Sequence, residues 1–180
     1  MQNTDDRFSQ YGKLAPKTKA DFAFVQHMIH HLDENGIMAT VLPHGVLFRG
    51  SSEAHIRLYL IEDRNYIDAV IGLPANIFFG TGIPTYILVI KKCREVNEDV
   101  LFIDASGDEF IKREGKKVSL GNVEGILYLH DNPAPEHELS IEVSPDEIEK
   151  NDFNLLPSRY VLSPEQKQLN DFLSSQPTQT

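Results

Sequence analysis

Apolar and polar positions alternate in two rhythms along the first hundred residues. In TKADFAFVQHMIHHLDENG, Phe22, Val25, Met28, Ile29 and Leu32 recur at the helical period, and this predicts a helix with Thr18 as N-cap and Gly36 as stop. IMATVL (37–42) follows as a near-continuous apolar run, the pattern of a strand covered on both faces in a parallel sheet. After a loop, PHGVLFRG, the positions of Ile56, Leu58, Leu60 and Ile61 predict a second helix that Ser51 caps, and YIDAVIG (66–72) predicts another strand. Helix, strand, helix, strand is the order of a doubly wound α/β domain. TYILVIKK and VLFIDAS predict two further strands. The gap between them, CREVNED, is short and polar, so the two are expected to pair as an antiparallel hairpin or to lie at a sheet edge.

From Gly107 the signal weakens. EFIKREGKKVSLGN is charged and broken by glycine, and NVEGILYLHDNPAPEHE fits a short helix or strand followed by a proline-rich turn. SPDEIEKNDFN predicts a short helix with Ser144 as N-cap, Pro145 in its first position and Glu147 closing a capping box. The tail SSQPTQT is expected to be disordered.

Composition narrows the classes. At 180 residues, 41% hydrophobic and 24% charged, the chain suits one good core or one and a half small ones. Its longest apolar run, Tyr86 to Ile90, is too short for a membrane span, and MQNTDDRFSQ lacks a signal-peptide core, so a cytoplasmic location is expected. Cys93 is the sole cysteine, which excludes an internal disulfide and a cysteine-built zinc site. A formal charge of -10 argues against free-standing nucleic-acid binding, because phosphate is neutralised by clustered Lys and Arg.

Few local motifs carry chemistry. His27 and His31 share a helix face, with His30 beside them, but no glutamate follows His27 and no third ligand is evident; a polar helix flank accounts for them. GTG (80–82) leads into Ile83, Pro84 and a strand, whereas a phosphate loop opens a helix. No Gly-x-Ser-x-Gly is present. The conspicuous feature is Phe78 and Phe79, adjacent rings in a glycine-rich loop after a strand. They are either anchors of that loop in the core or a surface for a ligand, and ligands of open α/β sheets bind outside the carboxyl ends of strands.

Five segments together have a family look: KADFAFVQHMIHHL, GIMATVLPHGVLFRGSSEAHIR, IDAVIGLPANIFFGTGIPTYILVIKK, VLFIDAS and EIEKNDFNLLPSRYV. In order and spacing they resemble the modification (M) subunit of type I restriction-modification systems, from about Arg7 to Val161. That family consists of S-adenosylmethionine-dependent N6-adenine DNA methyltransferases. The resemblance implies an α/β fold, the C-terminal half of a Rossmann-like methyltransferase sheet with a less regular extension. It divides the chain into the second half of a catalytic domain (1–106), a C-terminal extension (107–162) and a tail (163–180). It also implies a fragment: the family's donor loop and its catalytic Asn-Pro-Pro-Phe tetrapeptide precede the matched region, and the NPAP at 132–135 is not a version of it. No catalytic residue is therefore expected within these residues, and the chain alone is expected to be inactive.

The resemblance implies that the target adenine leaves the duplex stack, and in the related amino-methyltransferases a second aromatic, in the loop before the penultimate long strand, packs the other side of the flipped base. That loop is NIFFGTGIPT here, which assigns base stacking to Phe78 or Phe79. The helix beginning at Asp21 faces the donor in the family's order, so Asp21, Phe22 and Phe24 are candidates for contacts to S-adenosylmethionine. Implied partners are DNA, a specificity (S) subunit, a restriction (R) subunit and the missing N-terminal half of the M subunit, with the region from Gly125 to Val161 facing a partner. The alternatives are a non-catalytic remnant or interaction module, and another Rossmann-like enzyme.

Overall fold

The computed structural model describes residues 4–134, 137–162 and 166; the tail SSQPTQT lies outside the described residues. Two helices open the chain, α1 (Asp6–Ser9) and α2 (Asp21–His31). Strand β1 (Ile37–Pro43) comes next, then a 3-10 turn at His44–Leu47 and helix α3 (Ser52–Leu58), which continues into a π-helical turn at Tyr59–Asp63. The wider turn accompanies the burial of both neighbours Leu60 and Ile61. Strands β2 (Ile67–Gly72), β3 (Thr85–Lys91) and β4 (Val100–Asp104) follow, then a hairpin of β5 (Ile111–Glu114) and β6 (Lys117–Leu120). Helix α4 (Val123–Asp131), strand β7 (Ser140–Val143) and helix α5 (Pro145–Lys150) complete the order.

Five strands form one sheet in the order β1-β3-β2-β4-β7. Only the β2–β4 pairing is parallel; β1–β3, β2–β3 and β4–β7 are antiparallel. The expected β3–β4 hairpin is therefore absent, and neither strand lies at an edge, because β2 stands between them. The connecting segment instead crosses the start of β2. Arg94 holds it there, donating to the Asn65 and Asp99 carbonyls at 3.0 and 2.8 Å and to Asp68 Oδ1 at 2.5 Å, while Asn65 Nδ2 donates back to the Glu95 carbonyl at 2.7 Å.

Alternation along the strands splits the core in two. Val70, Leu88, Ile90, Val100 and Phe102 pack on one face against Phe22, Val25 and Ile29 of α2, Ile56 of α3, and Ile148, Leu155 and Tyr160. Ala69, Ile71, Val89, Leu101 and Ile103 pack on the other against Phe110 and against Ile126 and Leu129 of α4. Each fully buried aliphatic or aromatic side chain in these layers contributes about 1.5–3 kcal/mol. Residues 107–162 thus share the sheet and both cores with the rest of the chain. The Ser144 hydroxyl accepts from the Glu147 amide at 3.3 Å with Pro145 in the first turn, as expected.

Three local expectations are corrected. Ala20, not Thr18, stands at the N-cap of α2, and it makes no side-chain cap bond. Ser51 has a φ of 60° and does not cap α3; the Arg49–Glu53 ion pair at 2.6 Å spans that helix start instead. IMATVL is not covered on both faces: β1 is an antiparallel edge strand in which only Leu42 is buried, with Ile37 and Val41 61% and 49% exposed.

Candidate functional site

Strands β1 and β2 both run antiparallel to β3, and β2 runs parallel to β4, so the carboxyl ends Pro43, Gly72 and Asp104 lie along one side of the sheet. The loop 73–84 rises from that side. Its base is fixed: the Leu73 amide donates to the Thr85 carbonyl at 2.9 Å, Leu73 and Pro74 are buried, and Ile77 packs against the second core. Its apex turns through two left-handed positions, Asn76 (φ 63°) and Gly80 (φ 78°). Gly82 passes so close to Asn76 that a Cβ there would meet Asn76 Oδ1 at 3.0 Å. The Ile83 amide donates to Thr81 Oγ1 at 3.1 Å.

Phe78 and Phe79 occupy this apex. Phe78 is 43% exposed and Phe79 is fully exposed, so neither ring anchors the loop; Ile77 does that. Both rings line a cleft of about 530 Å³ together with Lys116, Lys117 and Val118 of the β5–β6 hairpin. A held turn that projects two apolar rings toward solvent costs apolar hydration; single exposed aromatics need no cause, but here two adjacent rings border one cleft.

A second aromatic group on the same side of the sheet went unnoticed in the sequence. His44, just beyond Pro43, lies near-parallel to Tyr86 with ring centroids 5.7 Å apart and packs against Phe48 at 4.9 Å. Tyr86 passes over Gly72, where a Cβ would meet Tyr86 Cε1 at 3.4 Å and Asp104 Oδ1 at 3.6 Å. Burial, and then the Asp104 carboxylate, push the Tyr86 phenol up and keep it neutral. The available signal was PHG directly after a strand, which places a histidine at a carboxyl end.

The three donor-side candidates separate. Phe22 is fully buried in the first core, which gives it to packing and removes it from any ligand surface. Asp21 faces Arg49 at 3.6 Å, and Arg49 is committed to Glu53 through bonds of 2.6 and 2.8 Å. Phe24 is 68% exposed on the outer side of α2. The structure thus places the three in different surroundings, one buried, one beside Arg49 and one exposed. His27 Nδ1 accepts from Arg7 Nη1 at 3.2 Å, and the ring packs edge-on against His31. Among the described residues no helix is long and apolar enough to cross a membrane.

Residues 1–169 match the N-6 DNA methylase family profile. The chain belongs to that family. It is 38% identical over 165 residues to the type I restriction enzyme MpnII methylase subunit of Mycoplasma pneumoniae, covering 92% of this chain and 30% of that protein. It is 31% identical to the HindI methylase subunit of Haemophilus influenzae, covering 91% of this chain and 38% of that one. The fold superposes on the type I restriction-modification methyltransferase subunit of Streptococcus thermophilus with a TM-score of 0.82 at 47% identity, over 89% of this chain and 34% of that chain. The M protein of the EcoKI type I enzyme shares the fold alone, with a TM-score of 0.61 at 21% identity, over 88% of this chain and 43% of that chain. This N-6 DNA methylase chain thus has the Rossmann-like α/β architecture of type I methyltransferase subunits, and it spans about a third of the length of the relatives it matches.

Proposed function

We propose that this chain forms the target-base side of a type I DNA methyltransferase that transfers a methyl group from S-adenosylmethionine to adenine N6. The observation that carries this is the fully exposed Phe79 at the apex of a held loop, on the side of the sheet where strand carboxyl ends gather. An adenine flipped from the duplex offers a planar face to such a ring, and stacking holds it while its amine is presented. Phe78 closes the adjacent part of the same surface. Flipping costs a few kcal/mol of lost stacking and pairing, which the ring restores in part.

Bound S-adenosylmethionine supplies the electrophilic methyl group. The donor and the acceptors that orient the amine belong to segments outside these 180 residues, since no Asn-Pro-Pro-Phe occurs in them. In this reading residues 1–106 belong to the catalytic domain, residues 107–162 form an extension that closes its sheet, and the open β1 edge is continued by the N-terminal half of the M subunit. The assembly works in the cytoplasm with a specificity subunit that reads DNA sequence and a restriction subunit. The acidic charge of the chain accords with leaving sequence recognition to another subunit.

The test is to assemble the chain with the remainder of the subunit and a specificity subunit, supply methyl-labelled S-adenosylmethionine and DNA, and digest the product to nucleosides. Label on N6-methyladenine is expected. Label on cytosine, or on protein alone, would sink the reading.

A further inference from the structure

The β5–β6 hairpin is a cationic stretch in an acidic chain. Its ten residues, 111–120, hold Lys112, Arg113, Lys116 and Lys117 against the single carboxylate Glu114, while the whole chain carries -10. Its two-residue loop is Gly115-Lys116, and Gly115 has a φ of 62°, the left-handed value that a tight hairpin turn demands at its first position. This turn sets Lys116 at the tip and Lys117 at the start of β6.

The four cations are not equivalent. Lys112 pairs with Glu114 at 2.9 Å and Arg113 with Asp108 at 3.2 Å. Lys116 and Lys117 are exposed and have no ion pair among the described residues, and they line the same cleft as Phe78 and Phe79. An aromatic platform flanked by unpaired cations is the combination that holds single-stranded nucleic acid: rings take the bases and cations follow the backbone. A flipped nucleotide is such a single-stranded point within a duplex, and its phosphates stay attached to a backbone that must pass beside the platform.

We propose that Lys116 and Lys117 bind backbone phosphates of the DNA strand next to the nucleotide received by the Phe78–Phe79 loop, as positioning residues. The proposal rests on the function proposed above, which it deepens. Because lysine engages phosphate as a point charge, the contact adds affinity and places the strand without reading its sequence.

The experiment uses the assembled methyltransferase and a labelled duplex with one target adenine, and it compares the unmodified protein with K116Q/K117Q, K116R/K117R and K112Q/R113Q. Binding is measured across salt concentrations, and methylation is measured separately at saturating DNA. Losing two phosphate contacts to a duplex flattens the slope of log K against log salt by about 1.8 and weakens binding by more than about tenfold near physiological salt. K116Q/K117Q is expected to show both effects with kcat unchanged. K116R/K117R is expected to restore the slope, and K112Q/R113Q to change it far less. An unchanged slope in K116Q/K117Q overturns the proposal, as does a loss of kcat or of subunit assembly without a slope change. If the unmodified assembly methylates no adenine yet the slope still flattens, the phosphate site stands and the methyltransferase reading falls.

Discussion

The two edges of the sheet are built differently. At one end β7 is four residues long, carries Glu142, and hands the chain at once to α5, a short charged edge of the kind that discourages further pairing. The segment that follows is bolted down. Fully buried Arg57 donates to the Phe153 carbonyl at 2.8 Å and the Val46 carbonyl at 3.0 Å, the Leu155 amide donates to the Leu47 carbonyl at 2.9 Å, and Tyr160 Oη donates to the Asn154 carbonyl at 2.5 Å. These bonds hold Asp152 and Phe153 at φ 56° and 53°, values that L residues adopt only when their surroundings impose them. At the other end β1 is seven residues long, with Ile37 and Val41 open on one face and, among the described residues, no strand on its far side. On the function proposed above, one edge is an end and the other is a seam. The β7 end is held by long-range bonds, whereas β1 leaves Ile37 and Val41 open.

The largest expected effect tests the seam directly. The 180-residue chain by itself should show no methyl transfer to DNA and no S-adenosylmethionine binding, and it should associate or aggregate through β1, as an uncovered apolar edge does. Calorimetry and sedimentation check this. Micromolar donor binding by a monodisperse monomer with a high, cooperative melt would make β1 a second end and remove the contrast.

The closed end is tested by Arg57→Ala. It removes two charge-assisted hydrogen bonds, leaves two carbonyls unpartnered and opens a cavity beside the Asp152–Phe153 turn, so a loss of about 3–5 kcal/mol is expected in urea unfolding. Burial lowers the Arg57 guanidinium to about 10, with Glu53 opposing that fall, so the group remains a cation at neutral pH and the variant removes a charged donor. A change below about 1 kcal/mol would mean the segment 144–160 is held by apolar packing alone.

At the seam the pattern should invert. Val41→Lys touches no core, so the stability of the isolated chain should move by less than about 0.5 kcal/mol while its self-association declines. In the assembled enzyme the same lysine is desolvated against the incoming segment, and a loss of about 2 kcal/mol, some thirtyfold in association, is expected. Equal assembly of Val41→Lys and unmodified chains would show that β1 receives nothing.

Legibility in the sequence follows the same division. The α2 period was readable because Phe22, Val25 and Ile29 face a core inside the chain, and the Ser144 start of α5 because capping is local. IMATVL misled for a physical reason: an apolar run suits a strand, and it does not say whether that strand is central with both faces covered or an edge with one face open. The β3–β4 pairing misled because a gap of seven polar residues suits a hairpin, yet next-but-one strands stand only about 10 Å apart and a short segment spans that easily. What decided the path was the grip of Arg94 on Asn65 and Asp68, a set of long-range bonds without periodicity. The Phe78–Phe79 loop stood out because exposed paired aromatics are rare, whereas the His44–Tyr86 contact joins residues 42 positions apart and left only a strand-end histidine as a trace.

The remaining prediction concerns that loop, which lies on neither edge. The sequence left a core role for either ring, and the structure gives that role to Ile77, so Phe78→Ala and Phe79→Ala should each keep the melting free energy within about 0.5 kcal/mol, as exposed substitutions do. Base stacking on an aromatic ring is worth about 1–3 kcal/mol, so removing the platform should lower methylation in the assembled enzyme by about fivefold to 150-fold. Phe79, the more exposed ring, should carry the larger part. Duplex affinity should change much less, because phosphate contacts dominate it, and Phe79→Tyr should restore most of the rate by keeping a ring in place. A DNA target with a mismatch opposite the adenine supplies the sharper readout, since a base that is already unpaired costs less to flip. The deficit of Phe79→Ala should shrink on that target if the ring holds the flipped base. If the deficit persists unchanged, or if both variants methylate at the full rate, the exposed rings serve some other surface, and the loop belongs with the seam rather than with the reaction.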